Sequence, residues 1–418
     1  MNHPSVCCWR WAWLCVLTVS VLAGCKSPQA DFAQDYQDAQ AKLRRMAEEP
    51  DPQVRTKALE ALAATEGREA GKLVMRGLQD EHVPVRFAAA MAVGDMRYEP
   101  AKPLLLAIAK DSTTPPKLLC AVIYALHRVG DTSYTKELGR LLFYPEDKWV
   151  RATAAMVMGR LGEPAAEDPL ENLRRDDRDP VVQLQVVEAL ATLGDARCIS
   201  LLRAFTKSQF IEDQIIAVQG LSRVRGAGAV SFLQRLMRNR REDPAVRIAA
   251  AGSLAQLNDA SGYDLALQAA VQPERVLRTA RRGKAAIRPG EISNLQTLAV
   301  LALGHMNNTD AVAELRPLLS SADGSVRVAA CQSILLLLAE YRPARHRPAA
   351  PVAPAELPET QPATEPATQP ATESATQPAS EPATQPATQP TTEPATEPAT
   401  QPTTEPATEP VAVPVIDF

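Results

Sequence analysis

The sequence predicts an all-α fold, an α-solenoid of about eight to nine helix pairs, followed by a disordered Pro/Thr/Ala-rich tail. Three observations predict it. Aromatics are 4% of the 418 residues against a hydrophobic share of 45%, so Ala, Val and Leu carry the burial. That suits closely packed helices better than strands, which favour β-branched and aromatic side chains. The 35 prolines are segregated, 16 of them at or after Pro351, so they do not argue against helices upstream. A motif also recurs at steps of 31, 31, 34, 32, 31 and 33 residues, the signature of stacked supersecondary units.

The chain opens on a leader, residues 1–24, with one positive charge at Arg10 and an apolar stretch from Trp11 to Ala23. About 13 residues are too few to span a bilayer and match a signal-peptide core. Leu22-Ala23-Gly24-Cys25 resembles the lipobox of bacterial lipoproteins. The resemblance implies cleavage before Cys25 and acylation of its thiol and new amino terminus, so membrane attachment is expected through Cys25. Two or three acyl chains, at about 0.8 kcal/mol per buried methylene, anchor stably. Lys26 rather than Asp follows, so the expected address is exported, at the outer membrane or its periplasmic face rather than the inner membrane. Residues 25–30 then read as a short linker.

The solenoid is expected over 31–342. Phe32, Tyr36, Leu43 and Met46 form an apolar stripe on a polar segment, which predicts an amino-terminal capping helix. Repeat starts follow at Asp51-Pro52-Gln53-Val54-Arg55, Val85-Arg86, Trp149-Val150-Arg151, Asp179-Pro180-Val181-Val182-Gln183, Asp243-Pro244-Ala245-Val246-Arg247 and Asp323-Gly324-Ser325-Val326-Arg327. Degenerate copies stand at Pro115-Pro116-Lys117 and Glu212-Asp213-Gln214. Asp before Pro supplies an N-cap oxygen and a first helical residue whose missing N–H costs nothing. Val54, Ala58, Ala61 and Leu62 then share one helical face, and Gly94, Gly130, Gly162 and Gly194 are expected to close the first helices. A second helix follows in each unit, for instance Lys102 to Lys110. Val326 to Leu338 predicts a terminal half-repeat without a partner before Pro343.

This pattern resembles HEAT-like repeats of the short D-P-x-V-R subtype, with Ala189-Leu190-Ala191-Thr192-Leu193-Gly194-Asp195 as a copy of the A-x-x-A-L and L-G-D parts. The resemblance implies a solenoid in which each pair packs on its neighbours. It also implies an inter-repeat ladder of Asp and Arg, carried here onto Asp51, Arg55, Arg86, Arg151, Asp179, Asp243, Arg247 and Arg327. Lys117, Gln183 and Gln214 depart from it and are expected to interrupt it.

One step is irregular. From Arg247 to the fifth position of the next start, Gln296, the step is 49 residues, so roughly 18 are inserted near 272–290. The insertion holds Arg275, Arg278, Arg281, Arg282, Lys284 and Arg288 against Glu274. It is a candidate basic binding arm for an acidic partner or an anionic headgroup, weighed against a merely solvated loop. Elsewhere, catalytic signals are sparse. His82, His127, His305 and His346 lack metal-ligand spacing, so no metal or other cofactor is expected. Cys120, Cys198 and Cys331 read as buried hydrophobes. With the leader and the residues from Pro351 onward set aside, 44 basic residues face 39 acidic ones, too mild and spread an excess to indicate a nucleic-acid partner.

The tail, 343–418, repeats P-A-T-E and P-A-T-Q with ten carboxylates and no basic residue from Pro351 onward. Proline at every fourth position favours an extended, coreless spacer. It ends on Val411 to Phe418, where Val413, Val415, Ile416 and Phe418 are candidate docking residues on an extended segment, weighed against a frayed end. The expected function is a membrane-anchored protein–protein interaction scaffold that binds partners on its concave face, not an enzyme, with no small-molecule substrate. The alternative is an exported enzyme or enzyme subunit, lyase-like by resemblance, on the same solenoid.

Overall fold

The computed structural model describes residues 28–342 apart from 145, 225–226 and 282–285. Nineteen α-helices stand among them. After α1 (Pro28–Met46), the first helices and their second partners alternate: α2 (Pro52–Thr65) with α3 (Gly71–Gly77), α4 (Val83–Met96) with α5 (Lys102–Lys110), α6 (Pro116–Arg128) with α7 (Thr135–Leu142). Next come α8 (Lys148–Leu161) with α9 (Glu167–Asp176), α10 (Pro180–Leu193) with α11 (Cys198–Phe205), and α12 (Ile211–Arg223) with α13 (Ala227–Arg238). The series ends on α14 (Pro244–Gln256) with α15 (Tyr263–Val271), an extra helix α16 (Pro273–Ala280), α17 (Pro289–Gly304) with α18 (Ala311–Leu315), and α19 (Gly324–Leu337).

Local chemistry starts these helices as the sequence predicts. Asp51, Asp179, Asp243 and Asp323 each accept a hydrogen bond from the backbone N–H two residues on, at 2.8 to 2.9 Å. Asp147 does the same for α8 at 2.7 Å. Gly130, Gly162 and Gly194 take positive φ after their helices, but Gly94 does not: α4 runs on, and Arg97 adopts the left-handed cap at φ 48°. Gly94 is small for another reason, since a Cβ there would lie 2.4 Å from the Tyr124 ring.

The two sets of helices are buried differently. Second helices keep one apolar face in, such as Leu138, Leu141 and Leu142 of α7. First helices are buried round most of their circumference: α14 is covered without a break from Ile248 to Ala255. They therefore form the inner layer, where small residues let them approach. A Cβ at Gly159 would lie 2.6 Å from the Ala189 backbone, and Ser253 and Ser333 donate to the Val218 and Val300 carbonyls of the preceding first helices at 3.1 and 2.8 Å.

That inner layer closes on itself. Each first helix packs on the next, from α2 to α19, and α19 packs on α2. The expected capping helix and the expected terminal half-repeat are thus not free ends: α1 lies against α19 as the second helix of a ninth pair. Tyr36, Ala39, Leu43 and Met46 are buried there, and the Phe32 and Tyr341 rings meet edge to face with centroids 5.6 Å apart. Arg316 forks onto Asp35 at 2.8 and 2.6 Å, Lys42 donates to the Leu319 carbonyl, and Arg342 reaches the Glu66 carbonyl and the Glu69 carboxylate. Two unpaired apolar faces, one at each end of the repeat array, cover each other.

The expected ladder is rearranged. Arg55, Arg151 and Arg327 pair with Asp80, Asp177 and Glu49 at 2.8, 2.6 and 2.9 Å, carboxylates that precede the next first helix, and not with Asp51, Asp179 or Asp243. Asp51, Asp179 and Asp243 cap their own helices instead, and Asp179 also pairs with Lys148 at 3.2 Å. The fifth position has a second duty that continues where the ladder was expected to break: it ties the preceding connection to the helix. Arg86, Arg247 and Arg327 donate to backbone carbonyls of Asp80, Met237 and Ser321, and Gln183, Gln214 and Gln296 do the same to Asp177, Ser208 and Ala270. An amide donor serves as well as a guanidinium, while Lys117 makes no such bond among the described residues.

Burial works against ionising Asp177, but hydrogen bonds from Arg151 and the Asp179 backbone outweigh it and hold the carboxyl below its ordinary value of 3.8. A depressed folded pKa contributes stability that is present above the unfolded carboxylate range and lost as pH falls through the folded value. Arg151→Met is therefore expected to be less stable at neutral pH and to lose less on acidification, read by urea titration at neutral pH and near pH 2. An unchanged acid dependence would show that Arg151 does not set the shift.

Candidate functional site

A polar row crosses six consecutive first helices, from α4 to α14. Tyr124 of α6 donates to Asp95 of α4 at 2.5 Å, and Arg160 of α8 reaches past α6 to the same carboxylate at 2.8 Å, its guanidinium 5.6 Å from the Tyr124 ring centre. Glu188 of α10 follows, 3.4 Å from Arg223 of α12. Ser222 then donates to Gln256 of α14 at 2.9 Å. Burial, with Asp95 adding to it, pushes the Tyr124 hydroxyl up to about 12. Burial also raises the Glu188 carboxyl, against the pull of Arg223 and Arg160. The row thus sets a carboxyl with a raised pKa near two guanidiniums, an arrangement able to grip a polar group. Sequence reasoning missed it, although Asp95, Arg160, Arg223 and Gln256 all stand nine residues after the fifth position of their repeats.

A second charged feature lies on the rim where first helices begin. The insertion is not a plain loop: α16 folds within it, burying Pro273, Val276 and Leu277, because these three form an apolar stripe that packs on the solenoid. Arg275 and Arg278 stay exposed, donating to Gln272 and Glu274 at 3.0 Å each. Arg281 is tied to Glu291 at 2.9 Å and to the Ala286 carbonyl, and the Arg288 backbone N–H donates to Glu291 at 3.1 Å. Arg282 and Lys284 lie outside the described residues, as do Cys25, Val413, Val415, Ile416 and Phe418.

Among the described residues no group of three or more His, Cys, Asp or Glu is placed to hold a metal ion. His127 faces Glu163 at 3.8 Å, and burial pushes His305 down. Cys120, Cys198 and Cys331 are buried free thiols, each pushed up to about 12 by burial.

No curated protein matches the chain. Among solved structures, human deoxyhypusine hydroxylase in complex with glycerol is 18% identical, with a TM-score of 0.34, covering 74% of this chain and 99% of its own. The complex of CpcE and CpcF of phycocyanin lyase from Nostoc sp. PCC7120 is 19% identical, also with a TM-score of 0.34, covering 63% of this chain and 94% of its own. Those two proteins are named as a hydroxylase and a lyase, which is said of them alone, and the expectation that this chain is not an enzyme is withdrawn. A family model of HEAT repeats matches residues 39–116, 112–191 and 199–283. That is more than half of the sequence, over the same helix pairs whose capped starts and Ala-rich seams build the inner layer, and the chain belongs to the HEAT-repeat family.

Proposed function

We propose that the protein is an exported, membrane-anchored helical-repeat scaffold that engages protein partners on the rim of its ring. The observation that carries this reading is the burial of the first helices. An open solenoid would present them as a concave groove, whereas here the closed inner layer leaves the rim as the accessible irregular surface. Phe143, Phe210 and Ile211 are exposed there by 47, 55 and 38%, in a chain poor in aromatics. No helix among the described residues is long and apolar enough to cross a membrane, so the proposed attachment is the acylated Cys25, with residues 343–418 as a spacer. Cys25→Ser is expected to shift the protein out of the membrane fraction or leave it unprocessed, and unchanged fractionation and processing would sink the anchor. For the scaffold, a photo-crosslinker at Phe143 should capture a reproducible protein partner in intact cells, while one at Arg175 on the outer face of α9 should not. Failure to crosslink at any exposed rim position would overturn it.

A second reading, an exported enzyme or enzyme subunit on the same solenoid, is favoured by one observation, the convergence of Asp95, Tyr124, Arg160, Glu188 and Arg223. Under it, Glu188→Gln should abolish the cellular phenotype of the protein with the fold intact, and rim substitutions should not. The scaffold reading expects the reverse.

A further inference from the structure

The basic excess of the solenoid is concentrated. Between 238 and 243, Arg238, Arg240 and Arg241 face Glu242 and Asp243; between 272 and 291, six basic side chains face Glu274 and Glu291. Together the two stretches carry a surplus of five positive charges, equal to the surplus of 44 basic over 39 acidic residues from Cys25 to Ala350. The fold brings the described parts of these stretches, the loop before α14 and helix α16, together on the rim. Helix α16 packs on α14, and Arg281 feels the charge of Asp243, the N-cap of α14. The carboxylates within the first stretch are already engaged: Glu242 accepts from Lys207 at 2.8 Å, and Asp243 caps its helix. The Arg240 and Arg241 side chains are exposed and make no hydrogen bond or ion pair among the described residues. Arg240 lies close enough to add to the burial that pushes Arg247 down.

We propose that Arg240, Arg241, Arg275 and Arg278 form one docking surface for an extended acidic segment of a partner polypeptide. This rests on the rim-docking reading and names the chemistry of its partner. Two observations favour a polypeptide. First, the basic stretches are continuous with a shallow depression lined by Leu267, Val271 and Arg275 but also by Asp264 and Glu314. Such a wall accepts an apolar side chain beside acidic ones and repels a backbone that is anionic throughout. Second, the rim is the wrong one for a membrane surface. Helix α1 begins three residues after Cys25, beside Tyr341 at the end where first helices finish. A first helix of 14 residues separates the two rims by about 20 Å, more than two screening lengths of about 8 Å in physiological salt.

The test uses the full mature chain and a labelled peptide of alternating glutamate and alanine with one leucine, followed by fluorescence anisotropy. Arg240→Glu with Arg241→Glu, and separately Arg275→Glu with Arg278→Glu, should each weaken binding about tenfold or more, and salt near 0.5 M should nearly abolish it. The glutamine version of the peptide should not bind. Thermal melts report that each variant is folded, and Gln replacements at the same four exposed positions provide a milder series with the same expected order. Equal affinity of folded reversal variants for the peptide would overturn the inference. So would binding about tenfold tighter to single-stranded DNA, or to phosphatidylglycerol vesicles, than to the peptide. Because the peptide is offered in solution, its failure alongside successful crosslinking from Phe143 would remove this surface and leave the scaffold reading standing.

Discussion

Deleting residues 28–46 is expected to lower the unfolding free energy by about 5 to 9 kcal/mol, from about 1.5 to 3 kcal/mol for each of three large side chains taken out of water. The segment contributes Tyr36, Leu43 and Met46, each at most 1% exposed, and its loss uncovers the α19 face they seal. The ion pair from Arg316 to Asp35 goes with it. The ring is then held where α19 meets α2, through Gly324 against Val54 and Arg327 against Glu49, and by Arg342 on Glu66 and Glu69, so the radius of gyration in solution scattering should rise. Urea titration with far-UV circular dichroism measures the stability. A change below about 1 kcal/mol, with unchanged dimensions, would mean that α1 is an ornament on an already closed ring. Leu43→Ala is the milder companion, expected to cost about 2 to 5 kcal/mol.

Leu190→Ala in α10 is expected to destabilise by about 2 to 5 kcal/mol through lost burial and the cavity left behind. Leu190 is 1% exposed, and α10 packs on α8, α9, α11 and α12, so the surroundings have little freedom to collapse into the space. Its effect should differ in kind from the deletion above. A core cavity in the middle of the array weakens every state that keeps α10 folded, but it leaves the dimensions of the native ring unchanged. A loss below about 0.5 kcal/mol in folded protein would mean that Leu190 does not sit in the core register.

Much of the helix pattern was legible because its causes are local. Asp51, Asp179, Asp243 and Asp323 reach backbone N–H groups two residues away, and Gly130, Gly162 and Gly194 supply a backbone conformation within one turn. The repeat period then identified nine first helices and the family. The fifth position was read only in part: its recurrence is visible, but its carbonyl targets are not, so Gln183 and Gln214 looked like interruptions where they perform the same tie.

The sequence by itself determined that this is an array of capped helix pairs with matching apolar faces, since helix signals and burial patterns act over a few residues. Tertiary structure alone decided three things. Asp35 and Arg316, 281 residues apart, meet because the array curves until its two unpaired faces find each other. Asp95, Tyr124, Arg160, Glu188 and Arg223 align because helices packed side by side bring equivalent positions of successive repeats into one row. The loop carrying Arg240 and the insertion carrying Arg275 become neighbours on the rim because α16 docks on α14. Each depends on the accumulated rotation from pair to pair, a geometric sum over the whole chain that no local spacing records.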